Sequence, residues 1–549
     1  MSQSYRPLGE GIPGPRGLGG APFIAEAKRA RAWVAALPRA NAEVTRERLA
    51  QALDNLAGQK LEGSQRLSVL EELRPAIGDS IVLLRREYAG SALPLAPSKA
   101  AAAQHVEAFH LALAEGYRLA AVELCGPAGN VPMLRGGTVA TALARSTWHY
   151  LQALATAWRV YRAPARGLWQ GLHRVHRFAA ETRLDARPVE DDLAGAPVEV
   201  RVAYLQGLLM AITHPLAFSQ QEQDLLWNAT QAFAARCNVT ATPPRDNAPE
   251  VPLDADRGPG PAVAGEPAAQ WLDMSAFVSE VDNALERQRD GHSDLMPPRG
   301  TGFRVGVEML ERLRRAFGLA AARTHVRLPG GHCVRTVFGL SGLHFYLAGQ
   351  RDFEAFMRQA TQHVVHIVDR ASWAGAATDA SKVPVHEARV LDQSLGGYRM
   401  AWAHAGQIRA RVGELVGLTF ADADEYPEWM LGVIRWLRYE ADGGLSAGVE
   451  LVSRHTAAVG LRTVQGEDPI RALEMRSLEG DERQFLAPNT LDAAATRIQV
   501  VRDQPVDAPE AEVEEILAGV DVLLNAGDYA LLRPLRADLV AEGEGGNEA

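Results

Sequence analysis

Cysteine is scarce in this chain. Only three cysteines, Cys125, Cys237 and Cys333, occur among its 549 residues. They lie far apart and are odd in number, which argues against a disulfide framework and against a cysteine-rich zinc site. We expect buried, reduced thiols in a cytoplasmic protein, because disulfides are rare in that compartment.

Long apolar runs and an excess of positive charge are also missing. No apolar stretch reaches the roughly 20 residues that a membrane-spanning helix needs, and the start lacks the basic-then-apolar pattern of a secretory signal. Lysine and arginine number 57 against 67 aspartates and glutamates, a formal net charge of -10. General binding to nucleic acid or to an anionic membrane needs a basic face, so we expect neither, and any anion site must be local.

Motifs of catalysis are absent as well. The chain has no phosphate-binding G-x-x-x-x-G-K-[ST] loop, the glycines around Ser341 do not have the spacing of a nucleophile elbow, and no Ser/His/Asp set is evident. His363 and His366 have a spacing that metals use on a helix, but no third ligand follows at a suitable interval. We therefore predict a non-enzymatic protein without a metal or other cofactor; a metal-dependent enzyme using this histidine pair is the weakest alternative.

The composition that is present is typical of a soluble globular chain, with 47% apolar and 23% charged residues. Residues 1–21 are rich in glycine and proline, which predicts a disordered N-terminus. Residues 22–238 carry apolar side chains at helical spacing, as at Leu67 and Leu70, which predicts an all-α domain. Residues 239–268 are mostly proline, aspartate, alanine and glycine, which predicts a linker.

The middle of the helical region combines aromatic and basic side chains. We interpret the aromatics as core residues and the cations as solvated or paired, since charged helix faces are common. The alternative is a basic, aromatic-lined groove for a protein partner or an anion. The residues concerned are Trp148, Tyr150, Trp158, Tyr161 and Trp169, with Arg145, Arg159, Arg162, Arg166, His173, Arg174, His176 and Arg177.

The C-terminal half has the patterns of a β domain. Residues 388–400 read A-R-V-L-D-Q-S-L-G-G-Y-R-M, two strand-like runs around a polar turn, and two further β-like runs follow at 407–420 and 429–452. Within the first pair of runs, Asp392, Ser394 and Gly397 form the pattern D-x-S-x-x-G. Upstream, Arg323 and Arg327 form an R-x-x-x-R pair.

This ensemble resembles a PilZ domain, a small β-barrel whose members mostly bind the bacterial dinucleotide cyclic di-GMP. The resemblance covers roughly residues 323–461. It implies an antiparallel barrel and a ligand site made of Arg323, Arg327, Asp392, Ser394 and Gly397.

The chemistry of these side chains suits such a ligand. Arginine pairs with phosphate oxygens and also stacks on a purine face. Short Asp and Ser side chains offer polar groups to a guanine edge, and glycine permits a tight turn with close backbone approach. Each residue also has a purely structural alternative: surface cations for the arginines, and a polar β-turn for Asp392, Ser394 and Gly397. Three more arginines of this region, Arg389, Arg399 and Arg435, are interpreted as solvated strand residues.

One feature departs from the family pattern. Between Arg327 and Asp392 lie 64 residues, where an ordinary PilZ domain has one strand and a short loop. Either the barrel carries a helical insertion, for which the helix formers at 350–371 are candidates, or Arg323 and Arg327 are not the ligand arginines.

The overall prediction is a multidomain α+β protein. A PilZ-like barrel with a helical insertion spans 269–462, a β-rich unit with one helical-looking run, E-A-E-V-E-E-I-L, spans 463–536, and an acidic disordered tail spans 537–549. The resemblance implies a bacterial cyclic di-GMP receptor that acts on a protein partner through the helical domain. The alternative is a ligand-independent adaptor for motility or pilus machinery.

Overall fold

The computed structural model describes most of the chain, in two compact units divided between Thr324 and His325. The described residues are 6–12, 14, 25–126, 129–261, 263, 270–289, 291–318, 326–361, 383–420, 428–464, 468–478, 480–491, 497–503, 514–526 and 528–535. The predicted disordered N-terminus lies mostly outside these ranges, and the predicted acidic tail lies wholly outside them.

The first unit is mainly helical. Its helices are α1 (Arg6–Gly9), α2 (Ala27–Ala35), α3 (Ala42–Gly58), α4 (Gly63–Tyr88), α5 (Pro97–Cys125), α6 (Gly136–Arg159), α7 (Leu168–Glu181), α8 (Val200–Ile212), α9 (Gln220–Ala234), α10 (Ser275–Glu286) and α11 (Val307–Phe317). Its short strands are β1 (Asn238–Thr240), β2 (Glu250–Val251), β3 (Gln270–Asp273), β4 (His292–Leu295) and β5 (Phe303–Gly306).

Local sequence signals explain several of these helix boundaries. Asn41 caps α3 by accepting from the Val44 N–H at 3.1 Å. At α9, Ser219 and Glu222 form a reciprocal capping box, in which each side chain accepts from the other's backbone N–H. Such caps satisfy backbone donors that a helix start leaves unpaired. The helical N-terminal region predicted from periodicity is confirmed.

The segment predicted as a linker is folded in its described part. Strand β3 lies between β1 and β2 in a three-stranded antiparallel sheet, and Val251 is fully buried in the core of the helical unit. The composition of this segment does not reveal its folding, because one apolar side chain is enough to anchor a two-residue strand. Hydrogen bonds with β3 then satisfy the backbone of that strand. The division into two units falls well after this segment.

An aspartate of the same segment caps a helix from outside. The carboxylate of Asp256 accepts from the Gly167 N–H at 2.6 Å and from the Gln170 N–H at 3.2 Å, at the start of α7. A negative charge at a helix N-terminus also interacts favourably with the helix dipole. The segment 250–260 is therefore held on α7 by polar contacts that hydrophobic periodicity does not reveal.

The aromatic and basic set is mostly core and ion pairs, as interpreted. Tyr150, Trp158, Tyr161 and Trp169 are buried. Most of the arginines have carboxylate partners, for example Arg145 with Asp191, Arg159 with Asp224, Arg174 with Glu10 and Arg177 with Asp254. Trp148 is the exception, because it lines an open pocket.

We predict that Asp256→Ala loosens the start of α7. Loss of an N-cap costs about 1 kcal/mol, or roughly five-fold in local opening, so the amides of Gly167 and Gln170 should exchange faster by about that factor in hydrogen exchange of the full chain. The control is Asp254→Ala, which removes only an exposed ion pair with Arg177. Equal protection in both variants would contradict the capping role.

The second unit is built on β-sheets. Its strands are β6 (Leu328–Pro329), β7 (Cys333–Phe338), β8 (His386–Ser394), β9 (Gly397–Trp402), β10 (Leu415–Phe420), β11 (Met430–Tyr439), β12 (Leu445–Ser453), β13 (Thr456–Thr463), β14 (Ile470–Arg476), β15 (Arg483–Pro488), β16 (Ile498–Arg502), β17 (Glu514–Leu517), β18 (Val520–Asn525) and β19 (Tyr529–Pro534). Its helices are α12 (Gly339–Leu347) and α13 (Phe353–Thr361).

Six of these strands close an antiparallel barrel. The order is β8-β7-β10-β11-β12-β9, and β9 pairs again with β8. The short strand β6 precedes β7 and pairs with the C-terminal end of β8, on the same side of β8 as β7. The predicted antiparallel barrel is therefore confirmed, and closure leaves it no exposed sheet edge along this circuit.

The predicted helical insertion is present and has a packing role. Helices α12 and α13 follow β7, and the first of them places Leu343 and Phe345 in one core with residues of the barrel and of the second sheet, such as Leu431 and Leu473. Helix α13 adds Phe356 to a neighbouring cluster. The rest of the predicted helical stretch, up to residue 371, lies outside the described residues.

The C-terminal strands form a second antiparallel sheet with the order β17-β16-β13-β14-β15-β19-β18. The run predicted as helical is, in its described part, strand β17, which pairs with β16. Its glutamates suggested a helix, but Glu515 instead accepts from Arg502 on the paired strand β16 and from Arg483 on β15. Cross-strand ion pairs of this kind stabilise a strand whose local propensity is poor.

Candidate functional site

The described residues of the site predicted from sequence lie where β6 pairs with β8. Arg327 immediately precedes β6, and its neighbours Leu328 and Pro329 pair with Gln393 and Asp392 of β8. This pairing brings the Arg327 guanidinium to Asp392, with Nη1 at 2.8 Å from Oδ1. Arg323, the other member of the R-x-x-x-R pair, lies outside the described residues.

Asp392 is also close to a second arginine. Arg399 of β9 lies directly across the hairpin from Asp392, and its Nη1 is 3.8 Å from Oδ2 of the carboxylate. Sequence reasoning gave Arg399 less weight than Arg327. The available signal was its position in the hairpin: Arg399 lies two residues after Gly397 and Asp392 lies two residues before Ser394, which places them opposite each other across the turn.

A β-bulge shapes this end of the hairpin. The register of β8 and β9 shifts between Val390 and Asp392. Leu391, the extra residue, is partly exposed, and so is Leu328 on β6. Bulges redirect side chains locally, so the charged cluster of Arg327, Asp392 and Arg399 is flanked by apolar surface.

Ser394 and Gly397 end and begin the two strands of the hairpin. The Ser394 hydroxyl is 3.4 Å from the Gly397 carbonyl oxygen, a long hydrogen bond that leaves the hydroxyl able to engage another group. Gly397 has φ +154°, and a Cβ added there would lie 2.1 Å from the carbonyl oxygen of Val449 on β12. A side chain at 397 would therefore push apart two strands of the barrel.

The remaining candidates lie at different places. Arg389 is an exposed residue of β8, and Arg435 of β11 is bonded to Glu450. The histidine pair His363 and His366 lies outside the described residues. Within the described part of the chain no group of three or more His, Cys, Asp or Glu residues could hold a metal ion.

The charge balance of the cluster favours an anion. Arg327 and Arg399 share one carboxylate, which leaves one positive charge uncompensated within the cluster. The Arg327 side chain is 49% exposed, and ion pairs this exposed are worth only about 0–1 kcal/mol. A phosphate oxygen could therefore displace the carboxylate from Arg327 at small cost.

Comparison with known proteins bears on this geometry. A family model described as "Cyclic-di-GMP receptor FimW, N-terminal domain" matches residues 28–245, and one described as "Cyclic-di-GMP receptor FimW, middle PilZ domain" matches residues 262–381 and 366–457. The barrel of this chain therefore matches a PilZ domain. The second match contains every strand of the barrel and every residue of the candidate site.

A relative is similar to this chain across both units. A curated protein of Pseudomonas aeruginosa, named "Cyclic-di-GMP receptor FimW", is 25% identical to this chain over 528 residues, which cover 85% of each sequence. No solved structure matches the chain.

Two further observations concern the setting of the PilZ domain. In the described ranges, no helix is both long and apolar enough to cross a membrane. None of the three cysteines forms a disulfide. Burial raises the pKa of the Cys125 thiol to about 11 and that of Cys237 to about 12, so both are protonated and unreactive at neutral pH.

We predict that Gly397→Ala destabilises the barrel. The added methyl would overlap the backbone of β12, and overpacking of this kind typically costs roughly 1–3 kcal/mol. Chemical denaturation of the full chain should show a lower midpoint for the transition of the β-rich unit. Gly406→Ala is the matched control, because nothing lies within 4 Å of a Cβ added at that position. Equal midpoints would contradict the packing role of Gly397.

Proposed function

We propose that this protein is a non-enzymatic receptor for cyclic di-GMP. The single observation that supports this most is the contact of Arg327 with Asp392 at 2.8 Å. These two residues are 65 positions apart in a chain whose insertion could have separated them. The printed name of the relative from Pseudomonas aeruginosa supports the same ligand.

Each site residue has a role that follows from its chemistry. Arg323 and Arg327 clamp the phosphates and stack on a guanine. The carboxylate of Asp392 accepts from the guanine N–H groups, as carboxylates do with base amines, and the Ser394 hydroxyl contacts the same edge. Gly397 keeps the hairpin against β12, so its contribution is to hold the other residues in place.

Binding then proceeds by exchange of partners. In the free protein Arg327 pairs with Asp392; in the complex it moves to a phosphate, and Arg399 remains beside the carboxylate. The apolar surface at Leu328 and Leu391 lies beside the bases. This exchange changes the surroundings of Arg327, and a protein partner reads that change.

We also propose that the receptor works in the cytoplasm without a metal or other cofactor. Support comes from the chemistry of the site, which offers only cations, one carboxylate, a hydroxyl and backbone groups. Such a set recognises an anion and a base edge but supplies no activated nucleophile.

The test is calorimetric titration of cyclic di-GMP into the full chain and into single variants. Arg327→Ala should weaken binding by about ten-fold or more, since a charge-assisted hydrogen bond is worth roughly 1.5–3 kcal/mol. Arg454→Ala is the control, because it removes an exposed arginine between β12 and β13. The double variant Arg323→Ala/Arg327→Ala should abolish binding and change the free energy of unfolding by no more than about 1 kcal/mol.

The variant Asp392→Asn tests whether the Asp392 carboxylate contacts the ligand or only pairs with Arg327 in the free protein. If Asp392 accepts from guanine, Asp392→Asn should weaken binding. Binding that is unchanged or tighter would mean that the carboxylate only holds Arg327 in the free protein. Absence of any heat with the unaltered chain would overturn the receptor proposal and favour the ligand-independent adaptor.

A further inference from the structure

The helical unit contains an open pocket of about 330 Å³ between α4, α6, α8 and α9. One wall is apolar and includes Ile81 and Val202, and two tryptophans, Trp148 and Trp227, also line it. At its floor lie polar side chains of α4, α5 and α6. The proton positions on those side chains can be worked out from the hydrogen-bond chain that connects them.

The hydrogen-bond chain begins at the buried guanidinium of Arg74. Arg74 forms a buried ion pair with Asp191 at 2.8 Å, and its Nε is 3.0 Å from Nε2 of His149. Arginine has only hydrogen-bond donors. Nε2 of His149 must therefore accept, and the proton of this neutral ring is on Nδ1.

The next link is a pair of imidazoles. Nδ1 of His149 is 3.0 Å from Nδ1 of His110. Burial together with the neighbouring arginines lowers the pKa of both histidines well below the ordinary value, so both rings are neutral at pH 7. His149 donates through Nδ1, His110 accepts through Nδ1, and the proton of His110 is consequently on Nε2.

This arrangement leaves two donors facing each other. Nε2 of His110 is 3.3 Å from Nη2 of Arg85, but both atoms carry hydrogen, so no hydrogen bond joins them. Arg85 also donates to Oε1 of Gln152 at 3.1 Å. No carboxylate within ion-pair distance of Arg85 is found in the described ranges, although Glu199 lines the same pocket. Arg85 thus has only uncharged partners, Gln152 and the Tyr88 hydroxyl, and the buried His110 N–H needs an acceptor.

We propose that this pocket binds a small organic carboxylate. One carboxylate oxygen accepts from both Nε2 of His110 and Nη2 of Arg85, and the apolar body of the ligand lies against the aliphatic wall and the tryptophans. A single cation with Glu199 nearby favours a monoanion over a phosphate dianion. An apolar cavity of about 150 Å³ already holds benzene, so this pocket has room for a ligand somewhat larger than one ring. The site is independent of the barrel and of its proposed ligand.

The test uses 4-fluorobenzoate as the probe and ¹⁹F NMR of the full chain as the measurement. Saturable binding is expected in the millimolar range or tighter, as the affinity per atom of small ligands implies. The neutral analogue 4-fluorobenzamide has the same shape and should bind about ten-fold more weakly, because it lacks the charge that pairs with Arg85.

Three variants locate the site. Arg85→Gln should weaken binding of the probe by about ten-fold or more, whereas Arg86→Gln, which changes the exposed neighbouring cation, should not. Ala194→Trp fills the pocket from the segment before α8 and should abolish binding with Arg85 intact; circular dichroism of each variant checks that the helices are retained.

Three outcomes would overturn the proposal. The first is no saturable binding of the benzoate, as expected if only water bridges the two donors. The second is equal binding of acid and amide. The third is equal affinity in the Arg85→Gln and Arg86→Gln variants. A ¹⁵N spectrum with the His110 proton on Nδ1 would contradict the proton positions on which the proposal depends.

Discussion

The second unit depends on the pairing of strand β8. This strand pairs with β7 and β9 inside the barrel and with β6 at its C-terminal end. Pairing with β9 closes the barrel, and pairing with β6 brings Arg327 to Asp392. Because hydrogen-bonded register fixes which residues lie opposite each other, the position of the candidate site follows from the same contacts that close the barrel.

Closure of the barrel has a strict steric condition at Gly397. A Cβ at that residue would overlap the carbonyl oxygen of Val449, so β9 could not reach β12. The insertion after β7 meets a different requirement. Its helix α12 contributes to a core that barrel and second sheet share, so the extra residues stabilise the unit and leave the arginine segment next to β8.

The arginines that matter most in the two units differ in burial. In the barrel, Arg327 is half exposed and its pair with Asp392 is weak, which suits a residue that exchanges a carboxylate for a phosphate. In the helical unit, Arg74 is buried with Asp191 and fixes the proton positions of two histidines. Burying a charge costs free energy of folding unless the charge is fully paired. The requirement that Arg74 donates sets the proton positions of His149 and His110, and through them the contact of His110 with Arg85.

The sequence by itself determined the helical region and the barrel strands, because periodicity and short motifs depend on near neighbours along the chain. It also named Arg327 and Asp392, which the structure brings together. It did not place Arg399 beside Asp392, fold residues 250–260 onto α7, or give β17 its strand conformation. Those features depend on contacts between residues far apart in sequence, such as Asp256 with Gly167 and Glu515 with Arg483. Capping of a helix from outside and cross-strand ion pairs have no local signal, so only the tertiary structure decided them; the position of Arg399 in the hairpin was a local signal, but one too short to identify its partner.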